Sequence, residues 1–261
     1  MLKDIQQQQQ YKILIIGESC LDVYIFGDVE RLSPEAPVPV IKSTRTIRKE
    51  GMSENVAKNI QSMLPEAIVI KCQNEFERIK KTRFIESKSK YQLLRHDTEE
   101  ELTPLSVKNI PEEKYDVVVI SDYNKGYLKS KVIVEIFDRF RDSKIFVDTK
   151  RRDISCFKEC IIKVNEKESK KLMFQNDTTK LITTLGKYGC KYLDSTYDVN
   201  PVDVHDVCGA GDTFLAGLVV RWLETKDMTC AIKTANNCAS LSVTKLGCYT
   251  IKREEYENLR V

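Results

Sequence analysis

Short apolar runs alternate with amphipathic stretches along most of the chain. Lys12–Gly17 is almost entirely aliphatic and ends in glycine, which is typical of a strand buried on both faces of a parallel sheet. Similar runs are Ala67–Ile70, Asp116–Ile120, Lys144–Val147, Ile161–Val164 and Leu181–Thr184. Stretches with a helical pattern are Glu54–Met63, Lys129–Arg141, Glu166–Phe174, Thr213–Leu223 and Thr229–Leu241. The alternation predicts an α/β fold with a doubly wound, mostly parallel sheet.

Two segments depart from this pattern. Asp28–Lys42 carries three prolines among alternating apolar residues, and Lys81–Asp97 is polar and rich in β-forming residues. Because prolines favour edge strands, these segments predict a small β lid of about residues 23–48 and 81–98. No linker divides residues 11–261, so we expect one domain with this lid. Residues 1–10 end in a glutamine run and are predicted to be a disordered leader.

Charge and cysteine content narrow the class of protein. The chain has 42 basic and 39 acidic residues and a net charge of +3, which argues against a dedicated nucleic-acid binder. Its nine cysteines include no CxxC pair, so we interpret them as reduced thiols of a cytoplasmic protein. The N-terminal region has no signal-peptide core, and the apolar run Ile13–Ile16 is too short to span a membrane.

The segment Asp206–Asp212 (DVCGAGD) has the pattern of a phosphate-handling turn, and an apolar helical stretch follows it. Glycines let backbone amides approach an anion, and a helix N-terminus adds unpaired N–H donors. The amides of Gly209, Ala210 and Gly211 are therefore candidates to stabilise a phosphoryl group in transfer. Asp212 could accept a proton from an attacking hydroxyl. The alternative is that Asp212 only caps the helix.

Five segments in order resemble motifs of the ribokinase-like (PfkB) carbohydrate kinases. DVCGAGD resembles their DTxGAGD signature. The other four are Gly17–Asp22 (GESCLD), Gly51–Ala57 (GMSENVA), Asn165–Glu168 (NEKE) and Thr184–Gly189 (TLGKYG). The resemblance implies a ribokinase-like three-layer fold with a β lid, and ATP-dependent phosphorylation of a sugar with Mg²⁺. A monovalent cation and a homodimer through the lid are also compatible with it.

The same resemblance implies roles for individual residues. Asp212 would be the base and the Gly209–Gly211 amides the anion cradle. Residues implied to contact the sugar are Asp22, Gly51 and Asn55. Residues implied on the nucleotide side are Thr184, Gly186, Gly189, Asp206 and Asn236. Asn165 and Glu168 would organise Mg²⁺ through water. Asn236 could equally be an ordinary polar residue of a helix.

Four further segments resemble the D-glycero-β-D-manno-heptose 7-phosphate kinases: Arg31–Val40, Gln92–Arg95, Ile120–Gly126 and Val147–Lys150. This resemblance implies phosphoryl transfer from ATP to the anomeric hydroxyl of a phosphorylated heptose, which gives a 1,7-bisphosphate. It also implies substrate contacts by Asp148, Lys150, Lys125 and Arg95. Each lysine could instead be a solvated surface charge.

Some positions differ from the family pattern. Met52 replaces a glycine, and we expect its side chain to intrude on the sugar pocket. Glu54 stands where a small residue is usual and adds a negative charge. Cys208 replaces a threonine near a helix N-terminus, where either a lowered thiol pKa or simple apolar packing is conceivable. Compared with the family, the region from Lys71 to Lys81 is short by roughly one strand and one helix.

Other functions therefore stay open. One is a kinase of the same fold for ribose, fructose, a nucleoside or another phosphosugar. A second is a catalytically weak protein that binds sugar or nucleotide for regulation. A third is a nucleic-acid or protein-interaction module on the basic stretch Lys80–Lys90, which Glu86 interrupts and no aromatic series accompanies.

Overall fold

A computed structural model describes residues 10–173 and 178–261. Its strands are β1 (Lys12–Gly17), β2 (Ser19–Leu32), β3 (Pro39–Met52), β4 (Ile68–Gln73), β5 (Ile79–Glu86), β6 (Gln92–Glu99), β7 (Val117–Asp122), β8 (Lys144–Thr149), β9 (Ile161–Asn165), β10 (Lys180–Thr184), β11 (Cys190–Tyr192) and β12 (Ser195–Tyr197). Its α-helices are α1 (Ser53–Met63), α2 (Ser130–Arg139), α3 (Glu166–Ser169), α4 (Ala210–Thr225), α5 (Met228–Val243) and α6 (Arg253–Leu259).

The larger sheet has the strand order β12-β11-β10-β9-β8-β7-β1-β4. The six strands from β4 to β10 in this order pair in parallel, whereas β11 and β12 are antiparallel. Strand β4 pairs with one edge of β1. The chain then crosses to the other edge of β1, where β7, β8, β9 and β10 follow one another in order. Ligands of open α/β sheets bind where the strand order reverses in this way, at the carboxyl ends of the strands.

Alternate residues of β1 point into two separate cores. Ile13 and Ile15 pack with residues of α1, α4 and α5, whereas Leu14 and Ile16 pack with residues of α2. Both faces of the sheet are therefore covered, which explains why β1 is aliphatic throughout. The predicted three-layer, doubly wound architecture is confirmed.

A second sheet has the strand order β3-β2-β5-β6. Only Glu18 separates β1 from β2, and β3 continues directly into α1. Pro39 begins the edge strand β3, and Pro34 and Pro37 lie in the preceding loop, as proline's missing N–H favours. The sheet covers the segments predicted for the β lid and extends a few residues beyond them, at the start of β2 and β5 and at the end of β3 and β6. Its action as a lid stays a prediction.

Several local predictions were incomplete. The helix expected over Glu166–Phe174 is the single turn α3, because the amide of Met173 turns away to the carbonyl of Arg152. Phe174 lies outside the described residues, as does most of the predicted leader. Strands β11 and β12 and helix α6 were not predicted. Between β4 and β5 the described chain has only a short connection with one 3₁₀ turn at Phe76–Arg78. No helix in the described ranges is long and apolar enough to cross a bilayer.

Candidate active site

Asp212 lies in the first turn of α4, with 4% of its surface exposed. Asn55 Nδ2 donates to Asp212 Oδ2 at 3.1 Å, and the Tyr123 hydroxyl donates to Oδ1 at 2.8 Å. Asn55 comes from α1, and Tyr123 directly follows β7. The carboxylate is therefore held by three separate elements at the end of the sheet where the strand order reverses.

The environment of Asp212 makes it a better base than an exposed aspartate. Burial, followed by the negative charge of Asp148, raises its pKa to about 6. The hydrogen bonds from Asn55 and Tyr123 and the charge of Lys163 act in the opposite direction. The result is a carboxylate that is ionised at neutral pH but close enough to titration to take up a proton. Simple helix capping would not require these partners.

Two glycines bring the turn at the start of α4 close to polar side chains. Gly209 is the N-cap with a left-handed φ of 76°, and a Cβ there would lie 2.7 Å from Asn55 Nδ2. A Cβ on Gly211 would lie 2.6 Å from Lys163 Nζ. The amide of Ala210 donates to the Val207 carbonyl at a long 3.3 Å. Both glycines thus keep the turn close to polar groups that a side chain would displace.

Lys163 is a cation that the sequence reasoning missed. Its side chain is 4% exposed, and its Nζ lies 2.6 Å from Asp148 Oδ2. Asp148 also pairs with Lys150 at 3.1 Å. Burial alone would raise the pKa of Asp148, but Lys163 and Lys150 outweigh it and hold that pKa below its usual value. A lysine inside the apolar run of β9 is the sequence signal that could have identified it.

Asn165 and Glu168 form a reciprocal capping box at α3. Asn165 Oδ1 accepts from the Glu168 amide at 2.9 Å, and Glu168 Oε2 accepts from the Asn165 amide at 2.8 Å. Glu168 Oε1 pairs with Lys150 Nζ at 2.8 Å. The structure therefore places Lys150 with the carboxylates at the ends of β8 and β9. Amide and carboxylate oxygens are the donor types that hydrated Mg²⁺ accepts, so this pair fits the ion through water.

Asp22, Gly51 and Asn55 meet at the junction of the two sheets. Arg83 Nη1 lies 2.5 Å from Asp22 Oδ1, and both side chains are buried. A Cβ on Gly51 would lie 2.2 Å from Asp22 Oδ2, so only glycine fits there. Arg83, on β5, was missed because its partner is 61 residues away in the sequence.

The expected intrusion of Met52 on the sugar pocket was wrong, and the negative charge that Glu54 adds is paired. Met52 is 2% exposed and packs in the apolar core with residues such as Cys20 and Ile120. It adopts φ 60° and ψ −131°, a glycine-like conformation that turns its side chain to the core. Both oxygens of Glu54 lie 3.0 Å from Lys71 Nζ, which neutralises the added charge.

Lys125 and Arg95 are bound to carboxylates rather than free. Lys125 Nζ lies 2.6 Å from Glu99, the last residue of β6. This ion pair links the main domain to the second sheet. Arg95 makes a bidentate contact with Asp97 on its own strand and is well exposed. Tyr123 instead has two cations near its ring: Lys81 and Lys150 lie 5.2 and 5.3 Å from the ring centroid.

The residues implied on the nucleotide side largely share one cavity. Thr184, Gly186, Gly189 and Asn236 line it, and Gly211 lies at the same cavity. Its volume is about 340 Å³, and valine is the commonest residue in its walls. Asn236 also donates to the Tyr197 carbonyl at 3.0 Å. An apolar cavity that reaches the glycine turn at the start of α4 suits a planar base joined to phosphates.

Asp206 has a different place from the other nucleotide-side candidates. Its Oδ1 accepts from the Cys208 amide and its Oδ2 from the Gly247 amide, each at 2.9 Å. It is not among the residues that line the cavity. Its observed contacts tie the turn before α4 to the loop after α5.

Solved structures of other proteins share this architecture. Ribokinase from Thermotoga maritima superposes with a TM-score of 0.69 at 16% identity and covers 95% of this chain and 99% of its own. Phosphofructokinase-2 from Escherichia coli in complex with potassium gives a TM-score of 0.74 at 14% identity, with 96% and 98% covered. The fold is therefore ribokinase-like.

Residues 95–255 match the family model described as "pfkB family carbohydrate kinase". The chain belongs to this family, which confirms the predicted enzyme class, an ATP-dependent carbohydrate kinase. Similar curated proteins include bifunctional protein HldE of Campylobacter curvus, 29% identical over 96% of this chain and 65% of the relative. The same-named protein of Helicobacter pylori is 30% identical over 94% and 65%. The chain spans about 60–65% of the length of these relatives.

Proposed function

We propose that the chain transfers the γ-phosphoryl group of ATP to the anomeric hydroxyl of D-glycero-β-D-manno-heptose 7-phosphate. The observation that carries phosphoryl transfer is the buried Asp212, held by Asn55 and Tyr123 beside the Gly209–Gly211 turn. The sugar is inferred from the resemblance of four segments to heptose 7-phosphate kinases.

The proposed reaction is an in-line displacement. The sugar hydroxyl loses its proton to the Asp212 carboxylate while its oxygen forms a bond to the γ-phosphorus. The bond from that phosphorus to the ADP oxygen breaks, and ADP leaves. The amides at the start of α4 and the Lys163 ammonium would stabilise the charge on the transferred group. Magnesium, when bound, would neutralise phosphate charge, with Glu168 and Asn165 ordering its water ligands.

Substrate recognition is proposed at the junction of the two sheets. Asp22 and Asn55 offer oxygen and nitrogen atoms to sugar hydroxyls, and Gly51 leaves space beside Asp22. A phosphate on the far end of the sugar requires a cation there. Lys81, which lies over the ring of Tyr123, is one candidate for this contact. Arg95 and Lys125 are further candidates, and each would have to leave its carboxylate partner to bind the phosphate.

Turnover of a sugar panel tests the proposal. ADP release would be measured with heptose 7-phosphate, fructose 6-phosphate, ribose and a nucleoside. We expect turnover with the heptose phosphate and at least about 100-fold less with the others. Turnover of another sugar with none of heptose 7-phosphate would instead favour the alternative, a kinase of the same fold for a different acceptor.

Asp212→Asn separates an enzyme from a catalytically weak binding protein. We expect ADP release to fall by about 10²- to 10⁴-fold, the typical share of a general base. The exposed Asp142→Asn is the matched control and should retain parental turnover. Equal ADP release by Asp212→Asn and the parent would contradict catalysis by this residue.

We also propose a homodimer that forms through the second sheet, in the cytoplasm. Every residue of β6 is exposed, and Tyr91, Leu93 and Leu94 expose between 40% and 75% of their surface. Exposed apolar side chains on a sheet edge favour association with another chain. All nine cysteines lie in the described ranges and are free thiols, which supports a reducing compartment.

A further inference from the structure

Two thiols and a carboxylate meet beside the proposed sugar pocket. Cys208 Sγ lies 3.3 Å from Cys248 Sγ, and Cys248 Sγ lies 3.6 Å from Asp22 Oδ2. One ligand atom from each of the three residues lies within 4.8 Å of the other two. Asp22 and Cys248 are buried, and Cys208 is partly exposed. The three residues come from β2, the turn before α4 and the loop after α5.

These separations are close to the edges of a tetrahedral metal site. With a Zn–S distance of about 2.3 Å and a Zn–O distance of about 2.0 Å, two sulfurs lie about 3.8 Å apart and a sulfur and an oxygen about 3.5 Å apart. Two of the observed edges, 3.3 and 3.6 Å, differ from these values by at most about 0.5 Å, and the third, between Cys208 and Asp22, lies within 4.8 Å and must shorten on binding. Three protein donors leave one position, as in zinc sites that keep an open ligand.

Neighbouring side chains stabilise negative charge on the groups that would bind the metal. Arg83 Nη1 binds Asp22 Oδ1, which leaves Oδ2 directed at the thiols, and Arg83 Nη2 lies 3.4 Å from Cys208 Sγ. The Tyr24 hydroxyl also donates to Cys208 Sγ at 3.3 Å. A dication with two thiolates, one carboxylate and the Arg83 guanidinium has a net charge of zero. A partner that orients a metal-binding carboxylate is typical of built sites.

A cation binds the two sulfurs as thiolates, so its binding releases the thiol protons to the solvent.

We propose that Asp22, Cys208 and Cys248 form a binding site for a thiophilic divalent cation of the Zn²⁺ class. The second part of the inference rests on the proposed function: a cation on Asp22 Oδ2 occupies the oxygen that would accept a sugar hydroxyl. Cation and sugar then exclude each other, and the cation inhibits the kinase. Mg²⁺ does not compete for this site, because it prefers oxygen ligands to thiolates.

Cobalt provides a direct test on the full chain. Co²⁺ would be titrated into oxygen-free protein kept reduced with a phosphine. The parent should develop a near-ultraviolet thiolate-to-cobalt absorption together with the visible bands of tetrahedral Co²⁺, and Zn²⁺ should abolish both. Cys208→Ser and Cys248→Ser should each weaken cobalt binding by at least about 100-fold, beyond the effect of losing an outer partner. Cys156→Ser, a partly buried thiol elsewhere, is the matched control and should bind as the parent does.

A second measurement guards against serine variants that fail to fold. X-ray absorption at the zinc edge of the parent should show two sulfur ligands at about 2.3 Å. No thiolate band in the parent, unchanged binding by both serine variants, or a zinc shell of oxygen and nitrogen alone would overturn the site.

Inhibition is then measured separately. With the sugar that proves to be turned over, Zn²⁺ should raise the apparent KM and leave kcat unchanged, and a zinc-selective chelator should restore activity. Inhibition that lowers kcat without affecting KM would overturn mutual exclusion. Cobalt binding without any sugar turnover would contradict the proposed function but not the metal site, so the two failures are distinguishable.

Discussion

Asp212 is held where a negative charge is poorly solvated, and this should be visible in the pH dependence of turnover. With its pKa raised to about 6 by burial, this carboxylate is largely protonated at pH 5 and ionised at pH 7.5. We expect kcat/KM to increase about tenfold per pH unit below this pKa and to level off above it. ADP release between pH 5 and 8 measures this. A flat profile over that range would show that Asp212 ionisation does not govern the reaction.

The same raised pKa has a consequence for stability with a definite sign. The folded chain binds the Asp212 proton more tightly than the unfolded chain, so stability falls as pH rises from about 4 to 6. A shift of two units corresponds to about 3 kcal/mol. Asp212→Asn removes this penalty. Urea unfolding should show the variant gaining stability relative to the parent as pH increases from 4 to 7, and a pH-independent difference would contradict the assignment.

Met52 combines a strained backbone with a buried side chain, and two substitutions separate the effects. Met52→Ala keeps the unfavourable φ and loses core packing, which should reduce the free energy of unfolding by about 2–5 kcal/mol. Met52→Gly loses the same packing but removes strain of about 1–3 kcal/mol. The glycine variant should therefore unfold at a higher urea concentration than the alanine variant. The reverse order would mean that the backbone at this position is unstrained.

At the level of elements, the start of α4 depends on the left-handed Gly209. Gly209→Ala should be destabilised by about 1–2 kcal/mol from its φ alone, and the new Cβ also meets the Asn55 side chain that positions the base. Turnover should fall because Asn55 must move. Gly126→Ala is the matched control: its φ is 97° and no atom lies within 4 Å of the added Cβ. Equal losses of turnover in both variants would exclude a special role for Gly209.

The elements also show what the sequence can and cannot predict. Strands β1 and β7 to β10 were located to within two residues, because a sheet covered on both faces requires continuous apolar runs. Helix α3 was predicted too long because its end is set by a backbone contact with Arg152, far away in the chain. Arg83, Tyr123 and Lys163 were missed for the same reason: each acquires its partner only when distant segments come together.

For the whole molecule, the exposed second sheet predicts the assembly state. Leu94 is 59% exposed on the edge strand β6, and Leu94→Glu places a charge in the proposed interface. Light scattering should give a dimer for the parent and a monomer for this variant. Met173→Glu, at an exposed methionine outside the sheet, should remain dimeric. A monomeric parent at micromolar concentration would contradict the proposed dimer.

The direct continuation of β3 into α1 has a consequence for ATP hydrolysis in the absence of a sugar. Strand β3 ends at Met52 and α1 begins at Ser53, so no flexible spacer separates the second sheet from the helix that carries Asn55. We expect a tilt of that sheet to move the Asn55 amide, which donates to Asp212. We expect closure of the sheet on an acceptor to set the final orientation of this carboxylate, so that hydrolysis of ATP without an acceptor stays slow.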